Sequence, residues 1–324
     1  SGLANNLFLF KSASVSFTNT SDLTVGYAIQ CDTAAPANRR DSGVTKTSGA
    51  GKVTFTSASN TYRGGTTVSS GGLIVNNAPL PTIGNVLITS GGALSLNSNT
   101  VATTGTFTNN LGGSLNLGAT FTRSNYTSFT NNGAVYISGA GNFVGNLTTG
   151  TSLNIGKDSF GTASAKNFST TNTVTIPALN VYNTSTIPTS GGGTITATNL
   201  YLLGTSSISG TVSGSVLTIG KDSFDVTDAS TNVTLTTNLS TFPTVNLVTS
   251  GATLNTSTKD ITGISTSFST ATGTTANIAH AFTGTGSVTN AGTMSFTTAS
   301  ASINSFPTLT AATGGAFIFK SLAN

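Results

Sequence analysis

Charge is the scarcest property of this sequence. Only 6% of its 324 residues are charged, and the eight acidic residues are all aspartate, with no glutamate. The twelve lysines and arginines give a formal net charge of +4. They are scattered, without the basic stretches interleaved with aromatic residues that follow a nucleic-acid backbone. We therefore expect no nucleic-acid partner.

Long apolar runs, cysteine and methionine are also scarce. No apolar run approaches the roughly 18 residues of a membrane helix, so we expect no membrane span. The single cysteine, Cys31, excludes an internal disulfide and a cysteine metal site, and it is expected to be a small core or loop residue. Because Met294 is the only methionine, Ser1 is expected to follow a removed signal peptide or a trimmed segment. These features favour a secreted or cell-surface, extracellular location.

Few side chains are suited to catalysis. Lys157-Asp158 and Lys221-Asp222 have the residue types of a polysaccharide-cleaving acid and base, but they lie too far apart to act as one pair. Asp225 and Asp228 lack the glycine-aspartate pattern of calcium-binding repeats. His280, the only histidine, has no Gly-x-Ser-x-Gly elbow as a partner. We expect no catalytic, cofactor or metal residue, and we predict that Asp158→Asn, Asp222→Asn and His280→Gln preserve biological activity.

A short repeated phrase is the most informative feature present. One or two glycines or small polar residues precede an apolar-polar-apolar triplet, as in Gly91-Gly92-Ala93-Leu94-Ser95-Leu96. The phrase returns about every twenty residues. The first apolar residue of each phrase is, in order, Val53, Leu73, Leu94, Leu115, Val135, Leu153, Val174, Ile195, Leu217, Val233, Leu254, Ala276, Met294 and Phe317.

This alternation predicts strands, because successive side chains of a strand point to opposite faces. A fixed period of this length predicts a solenoid. The fold class is therefore all-β, a parallel β-solenoid of about 14 coils of roughly 20–22 residues. A second apolar series lies between the phrases and predicts two or three inward-facing strands in each coil: Val86, Phe107, Phe129, Leu147, Phe168, Leu200, Val245 and Phe306.

The repeat makes specific predictions about the core. Four apolar residues are expected to form one inward column, namely Leu94, Leu115, Val135 and Leu153. Their polar neighbours are expected outside, namely Ser95, Asn116, Tyr136 and Asn154. Truncating one of the leucines to alanine should cost about 2–5 kcal/mol, whereas changing Asn116 should cost little.

Longer echoes indicate a register that is kept over several coils. Ile155-Gly156-Lys157-Asp158-Ser159-Phe160 returns at 219–224, and Phe242-Pro243-Thr244 returns at 306–308, both after 64 residues. This interval equals three coils of about 21 residues. Proline at such a position is typical of a strand start or a corner.

The first fifty residues differ in texture from the rest. We assign 1–50 to an N-terminal apolar strand and an irregular charged segment that acts as a cap or assembly element, and 51–324 to the solenoid with an apolar C-terminal strand. Residues 21–46 contain Cys31, Pro36 and six charges, namely Asp22, Asp32, Arg39, Arg40, Asp41 and Lys46. A projecting recognition loop and a solvated excursion between two strands are both compatible with this composition.

One segment resembles a known family. Gly51-Lys-Val53-Thr-Phe55, followed by Asn60-Thr-Tyr62-Arg-Gly64-Gly-Thr66-Thr-Val68-Ser-Ser-Gly71-Gly-Leu73, is similar to the autotransporter-associated β-strand repeat of bacterial surface proteins. The resemblance covers residues 51–75. It implies a right-handed parallel β-helix at the bacterial surface with a role in adhesion or aggregation. The chain would be a released passenger, a fragment, or a separate secreted protein with the same coil.

The two ends of the sequence carry unusually apolar segments. Leu7, Phe8, Leu9 and Phe10 near the start, and Phe317, Ile318 and Phe319 near the finish, lack the alternation of the interior phrases. Solenoid ends expose unpaired backbone groups and apolar core unless they are covered. We therefore interpret these seven residues as assembly residues that join copies of the chain head to tail into a filament. Capping of its own coil by each strand is the alternative.

The resulting functional hypothesis is a non-enzymatic, extracellular structural or adhesive element. Its expected partners are other copies of itself and the surface of a host or neighbouring cell. The alternatives are a monomeric autotransporter-type adhesin, a polysaccharide-degrading enzyme on a β-helix, and a crystal-binding threonine array. The array is suggested only by Thr173-Val174-Thr175 and Thr194-Ile195-Thr196.

Overall fold

In the described part of the chain, the regular secondary structure is almost entirely parallel β-strand. The structure, a computed structural model, describes residues 6–10, 13–31, 42–76, 80, 84–100, 103–187, 192–208, 212–298, 301–304 and 306–319. Within these ranges the helical content is one 3₁₀ turn at Arg123–Asn125. By contacts, the chain forms two compact units, residues 1–153 with 157–162 and residues 154–156 with 163–324.

Among its described residues, the first unit contains sixteen complete strands and the start of β17. They are β1 (Leu7–Leu9), β2 (Val15–Phe17), β3 (Leu23–Val25), β4 (Ile29–Cys31), β5 (Val44–Lys46), β6 (Lys52–Phe55), β7 (Thr66–Val68), β8 (Gly71–Val75), β9 (Val86–Ile88), β10 (Gly92–Leu96), β11 (Thr106–Asn109), β12 (Ser114–Leu117), β13 (Thr120–Thr122), β14 (Ser128–Asn131), β15 (Ala134–Ile137), β16 (Asn142–Val144) and β17 (Ser152–Ile155).

The described residues of the second unit contain a further seventeen strands. They are β18 (Thr173–Val181), β19 (Thr186–Ile187), β20 (Thr194–Leu202), β21 (Ser207–Ile208), β22 (Val212–Ile219), β23 (Asn232–Leu235), β24 (Thr244–Leu247), β25 (Thr253–Asn255), β26 (Ile261–Ile264), β27 (Ser267–Thr270), β28 (Thr275–Ile278), β29 (Ala281–Gly284), β30 (Ser287–Asn290), β31 (Thr293–Phe296), β32 (Ser302–Asn304), β33 (Thr308–Ala311) and β34 (Ala316–Phe319).

Strands one coil apart pair in parallel. In the first unit the longest sheet has the order β3-β6-β8-β10-β12-β15, a second sheet has the order β2-β5-β7-β9-β11-β14, and β1-β4 and β13-β16 form two short pairs. In the second unit the longest sheet has the order β18-β20-β22-β24-β27-β30-β33, beside β19-β21-β23-β25-β28-β31-β34 and β26-β29-β32. The expected all-β parallel β-solenoid is confirmed, with about 13 turns.

The inward column predicted from the phrases is present. Leu94 aligns with Leu115, and Leu115 aligns with Val135. These three residues and Leu153 are fully buried. Glycine turns the chain before the strands, as at Gly91 and Gly112, whose φ angles of 84° and 79° are unfavourable for other residues.

Three of the four polar neighbours of this column are buried, which corrects the prediction for them, and the fourth, Tyr136, is half-buried. Ser95, Asn116 and Asn154 are buried, and Asn116 is only 3% exposed. The side chain of Asn116 accepts a hydrogen bond from Ser159 N at 2.8 Å and donates to Ser159 Oγ at 2.8 Å and Ser95 Oγ at 3.1 Å. These contacts remove the basis for expecting a small cost, and we now expect a change of Asn116 to be destabilising, since its loss removes hydrogen-bond partners from a buried site.

The residue that covers Asn116 belongs to the first copy of the 64-residue echo. Residues 157–162 form a tight turn in which Asp158 Oδ1 accepts from Phe160 N at 3.0 Å and from Thr162 N at 2.7 Å. The turn lies against the outer face of the first unit, where Phe160 packs over Gly72 and the Lys52 ammonium lies 5.3 Å from its ring centre. A side chain at position 72 would collide with this ring.

The second copy reproduces the turn in the second unit. Asp222 Oδ1 accepts from Phe224 N and Val226 N, both at 2.9 Å. Ser223 exchanges two hydrogen bonds with Asn180, which stands 64 residues after Asn116. We name residues 157–162 and 221–226 the first and second clasp.

Beyond Leu217 the repeated phrase moves to another sheet. Leu217 belongs to β22 of the longest sheet, whereas Val233 and Leu254 belong to β23 and β25 beside it. The column of Leu217 contains residues of the second series on both sides, since Leu217 aligns with Leu200 and with Val245, whereas Ile195 of the preceding phrase aligns with Val212. The strands β18, β20 and β22 have nine, nine and eight residues, long enough to extend through a region that forms a corner elsewhere.

The stacked strands begin before residue 51. β2 pairs with β5 and β3 pairs with β6, so β2, β3 and β5 already contribute to the two large sheets of the first unit. The expected boundary at residue 50 does not coincide with the start of the stack. Prolines 243 and 307 directly precede β24 and β33, which confirms the strand-start interpretation.

The inward position at the end of β5 is occupied by a lysine, Lys46, which binds the backbone of the corner that follows. Lys46 is fully buried and aligns with Phe17 and Val68. Its ammonium donates to the backbone carbonyls of Ser48, Gly49 (2.8 Å) and Asn19 (3.4 Å), and burial lowers the pKa of Lys46. The carbonyls replace the water that the ammonium loses on burial.

Alkaline pH is expected to weaken the first unit through Tyr62. This phenol is buried, bonded to Thr66 Oγ1 at 2.8 Å, and burial raises its pKa to about 12. Because the folded pKa exceeds the ordinary value of about 10, the phenol's contribution to stability is complete below pH 10 and is lost as pH rises towards 12. Urea unfolding between pH 9 and about 12 should show a smaller loss of stability for Tyr62→Phe than for the wild type. Equal losses would contradict this assignment.

Candidate assembly surfaces

The N-terminal strand pairs with its own chain. Leu7, Phe8 and Leu9 of β1 align with Ile29, Gln30 and Cys31 of β4. Leu9 is buried and Leu7 is half-buried, whereas Phe8 and Phe10 are exposed. The pairing of β1 with β4 is the one that the self-capping alternative expects at the N-terminal end. Two of the four predicted assembly residues at this end, Phe8 and Phe10, are nevertheless exposed to solvent.

The first coil leaves one member of the core column uncovered. In the longest sheet of the first unit Leu23 aligns with Val53, and Val53 with Leu73. Val53 and Leu73 are fully buried, but Leu23 is 41% exposed. Among the described residues β3 has a strand partner on one edge only. We name Phe8, Phe10 and Leu23 the N-terminal face.

The last coil shows the same pattern. Val288 is fully buried, but Leu309, the next residue of its column, is 46% exposed. β32, β33 and β34 are each the last strand of their sheets within the described part of the chain. Phe319 and Ile318 are exposed, and Phe317 is half-buried.

The exposed aromatic at this end is held in place by its neighbours. The Phe319 ring stacks on Phe296 with centres 4.9 Å apart and planes inclined by 12°. β34 pairs with β31 of its own chain, so it is a regular rung of the coil. We name Leu309, Ile318 and Phe319 the C-terminal face.

The rejected catalytic candidates have structural partners. Asp222 is buried, and its Oδ2 accepts from the Tyr182 hydroxyl at 2.9 Å in addition to the two backbone groups of the second clasp. Asp225 pairs with Lys221 at 2.8 Å, and this hydrogen bond lowers the pKa of Asp225. Asp228 accepts from Gly204 N at 3.0 Å. These carboxylates fix turns in the second unit.

His280 lies beside a carboxylate that the sequence did not connect to it. Its Nδ1 is hydrogen-bonded to Asp260 Oδ1, and this bond lowers the pKa of Asp260. Asp260 also accepts from Ala281 N at 3.1 Å and Asn238 Nδ2 at 3.3 Å. The two residues are 20 positions apart, about one coil, so the period is the signal that relates them.

The charged segment 21–46 is described in part. Asp22 pairs with Lys52 at 3.2 Å, and bonds from Lys52 lower the pKa of Asp22. Cys31 is buried and free, and its thiol donates to Thr61 O at 3.1 Å, as expected of a small core residue. The recognition-loop hypothesis concerns the whole of 21–46. Four of the six charged residues of this segment lie outside the described ranges, namely Asp32, Arg39, Arg40 and Asp41.

No known protein family, curated protein or solved structure matches the chain. The resemblance of residues 51–75 to the autotransporter repeat remains an expectation based on those residues. Within the described ranges, no three His, Cys, Asp or Glu side chains converge on a metal position. The same ranges contain no helix with the length and hydropathy of a membrane span.

Proposed function

We propose that this protein is a non-enzymatic structural element that joins copies of itself head to tail. The observation that carries the proposal is the exposure of Leu23 and Leu309, the terminal members of core columns that are fully buried elsewhere. The occupant of both faces is a second copy of the chain.

Strand geometry supports this occupant. The strand pairs described within the sheets are parallel, so the unpaired N–H and C=O groups on the open edge of β33 can pair with those on the open edge of β3. The N-terminal face of one copy then meets the C-terminal face of the next, as one coil meets another. This contact joins two different surfaces, so it propagates into a filament unless it closes into a ring.

The proposed location is the outside of a bacterial cell. Support comes from the similarity of residues 51–75 to surface-protein repeats and from a composition almost free of cysteine and charge. A filament there would serve adhesion or cover the surface.

A charged substitution on either face should stop assembly. Mixing one variant of each kind should restore a single junction between two molecules. Leu309→Lys places a charge on the C-terminal face, and Leu23→Lys places one on the N-terminal face. Each variant alone should be monomeric, because its junction would bury an unpaired ammonium. Mixed in equal amounts, they should form a dimer and nothing larger, since each contributes one intact face. Sedimentation velocity at rising concentration measures all three samples against the assembling wild type.

A matched control separates this effect from a general effect of charge. Leu111 is 68% exposed in a turn of the first unit and belongs to neither face, and Leu111→Lys should assemble like the wild type. A wild type that stays monomeric at high concentration would overturn the proposal and leave the faces to another occupant. Failure of the mixture to dimerise, while the wild type assembles, would assign the contact to a different surface.

A further inference from the structure

The first unit has a groove beside its first two coils. Its volume is about 560 Å³, within the range of roughly 300–1,000 Å³ for small-ligand pockets. It is lined by the corners that follow β3 and β6 and by residues of the N-terminal pair of strands, namely Asn6, Gly26, Tyr27, Ala28, Gln30, Ser57 and Ser59. None of these residues is charged.

An aromatic ring is displayed on a fixed backbone in this groove. Tyr27 is 41% exposed although the next residues, Ala28 and Ile29, are buried. Ala28 O accepts from Leu7 N at 2.9 Å, and Ile29 N donates to Asn60 Oδ1 at 2.9 Å. The backbone that follows Tyr27 is thus fixed by hydrogen bonds to Leu7 and Asn60. The exposed position of the ring therefore requires no rearrangement.

The remaining groups are neutral donors and acceptors. Asn6 Nδ2 donates to Gln30 Oε1 at 3.3 Å, which orients both amides and leaves the Gln30 amide nitrogen as a donor. Ser57 Oγ accepts from Ser59 N at 3.3 Å, which fixes the opposite corner. An exposed ring between uncharged amides and hydroxyls presents one apolar surface and several hydrogen-bonding groups.

We propose that this groove binds a neutral oligosaccharide. The apolar C–H face of a pyranose ring packs against an aromatic ring, while its hydroxyls exchange hydrogen bonds with amides and serines. A charged ligand would lack a counter-charge among the lining residues, and an extended apolar peptide would leave their polar groups unpaired. The binding is independent of assembly.

The experiment is ligand-observed saturation-transfer NMR on the full chain carrying Leu309→Lys, which holds it as a monomer under the proposal above. The probes are maltotetraose, cellotetraose and chitotetraose, with a hyaluronan tetrasaccharide as the charged comparison. At least one neutral probe should receive saturation. In the Tyr27→Ala variant its affinity should fall about tenfold or more, because the aromatic contact is lost. Tyr27→Phe keeps the ring and should keep most of the affinity.

Phe224→Ala serves as the matched control, since Phe224 is an exposed aromatic outside the groove, and it should bind like the parent. Absence of saturation for all three neutral probes would overturn the proposal. So would equal binding by Tyr27→Ala or a preference for the charged probe. Running the same titration on the wild-type chain distinguishes the two proposals, because saccharide binding without self-association would leave this one intact.

Discussion

Phe121→Ala is expected to lower the free energy of unfolding of the first unit by about 3–5 kcal/mol. Phe121 is fully buried, and its ring centre lies 5.2 to 5.4 Å from those of four other rings, namely Phe107, Tyr126, Phe129 and Phe143. Truncation removes the buried area and leaves a cavity that the paired strands of the two surrounding sheets cannot close. Urea denaturation measures the loss of stability, and hydrogen exchange of first-unit amides shows that the loss occurs in this unit.

The exposed Phe224 supplies the comparison for this measurement. Phe224→Ala deletes the same ring from the surface and should change stability by no more than about 0.5 kcal/mol. A loss below about 1 kcal/mol for Phe121→Ala would show that the aromatic cluster is not the centre of this core.

Asp222→Ala is expected to cost about 3 kcal/mol and to release the second clasp. The buried carboxylate accepts two backbone N–H groups and the Tyr182 hydroxyl, and hydrogen bonds to a charged group contribute about 1.5–3 kcal/mol each. Alanine removes the acceptor that these three donors share. The measurements are the urea midpoint and the exchange rates of the amides of Phe224 and Val226.

The first clasp provides the matched variant. Asp158 makes the equivalent two backbone bonds but is half-buried, so water can replace its carboxylate. Asp158→Ala should therefore cost only about 1 kcal/mol. Equal losses for the two alanine variants would contradict the role given to burial and to Tyr182.

Local pattern was sufficient to predict the elements and their stacking. The alternation around Leu94 and Leu115 defines which side chains point inward, and a period near one coil places these residues in register. Pro243 lies directly before β24 because proline has no backbone N–H to donate to the hydrogen bonds between paired strands. The 64-residue echo likewise appears as two clasps with the same hydrogen bonds.

Contacts between distant coils could not be predicted from the repeat. Asn116 is buried because Ser159, 43 residues later, bonds to its side chain, and an alternating pattern records only the face of the sheet. Lys46 occupies an inward position because three corner carbonyls converge on its ammonium, which no spacing of residue types expresses. The pairing of His280 with Asp260 also depends on the register of adjacent coils.

The fold class, the inward column and the strand starts after Pro243 and Pro307 could therefore be predicted from the residues, because they depend on the geometry of a single strand and on a fixed repeat. The tertiary structure alone decided which outer faces are covered, that the N-terminal strand pairs with β4, and where the phrase changes sheet after Leu217. The physical reason is that these features depend on which coil lies beside which, and a repeat of similar phrases offers several nearly equivalent neighbours.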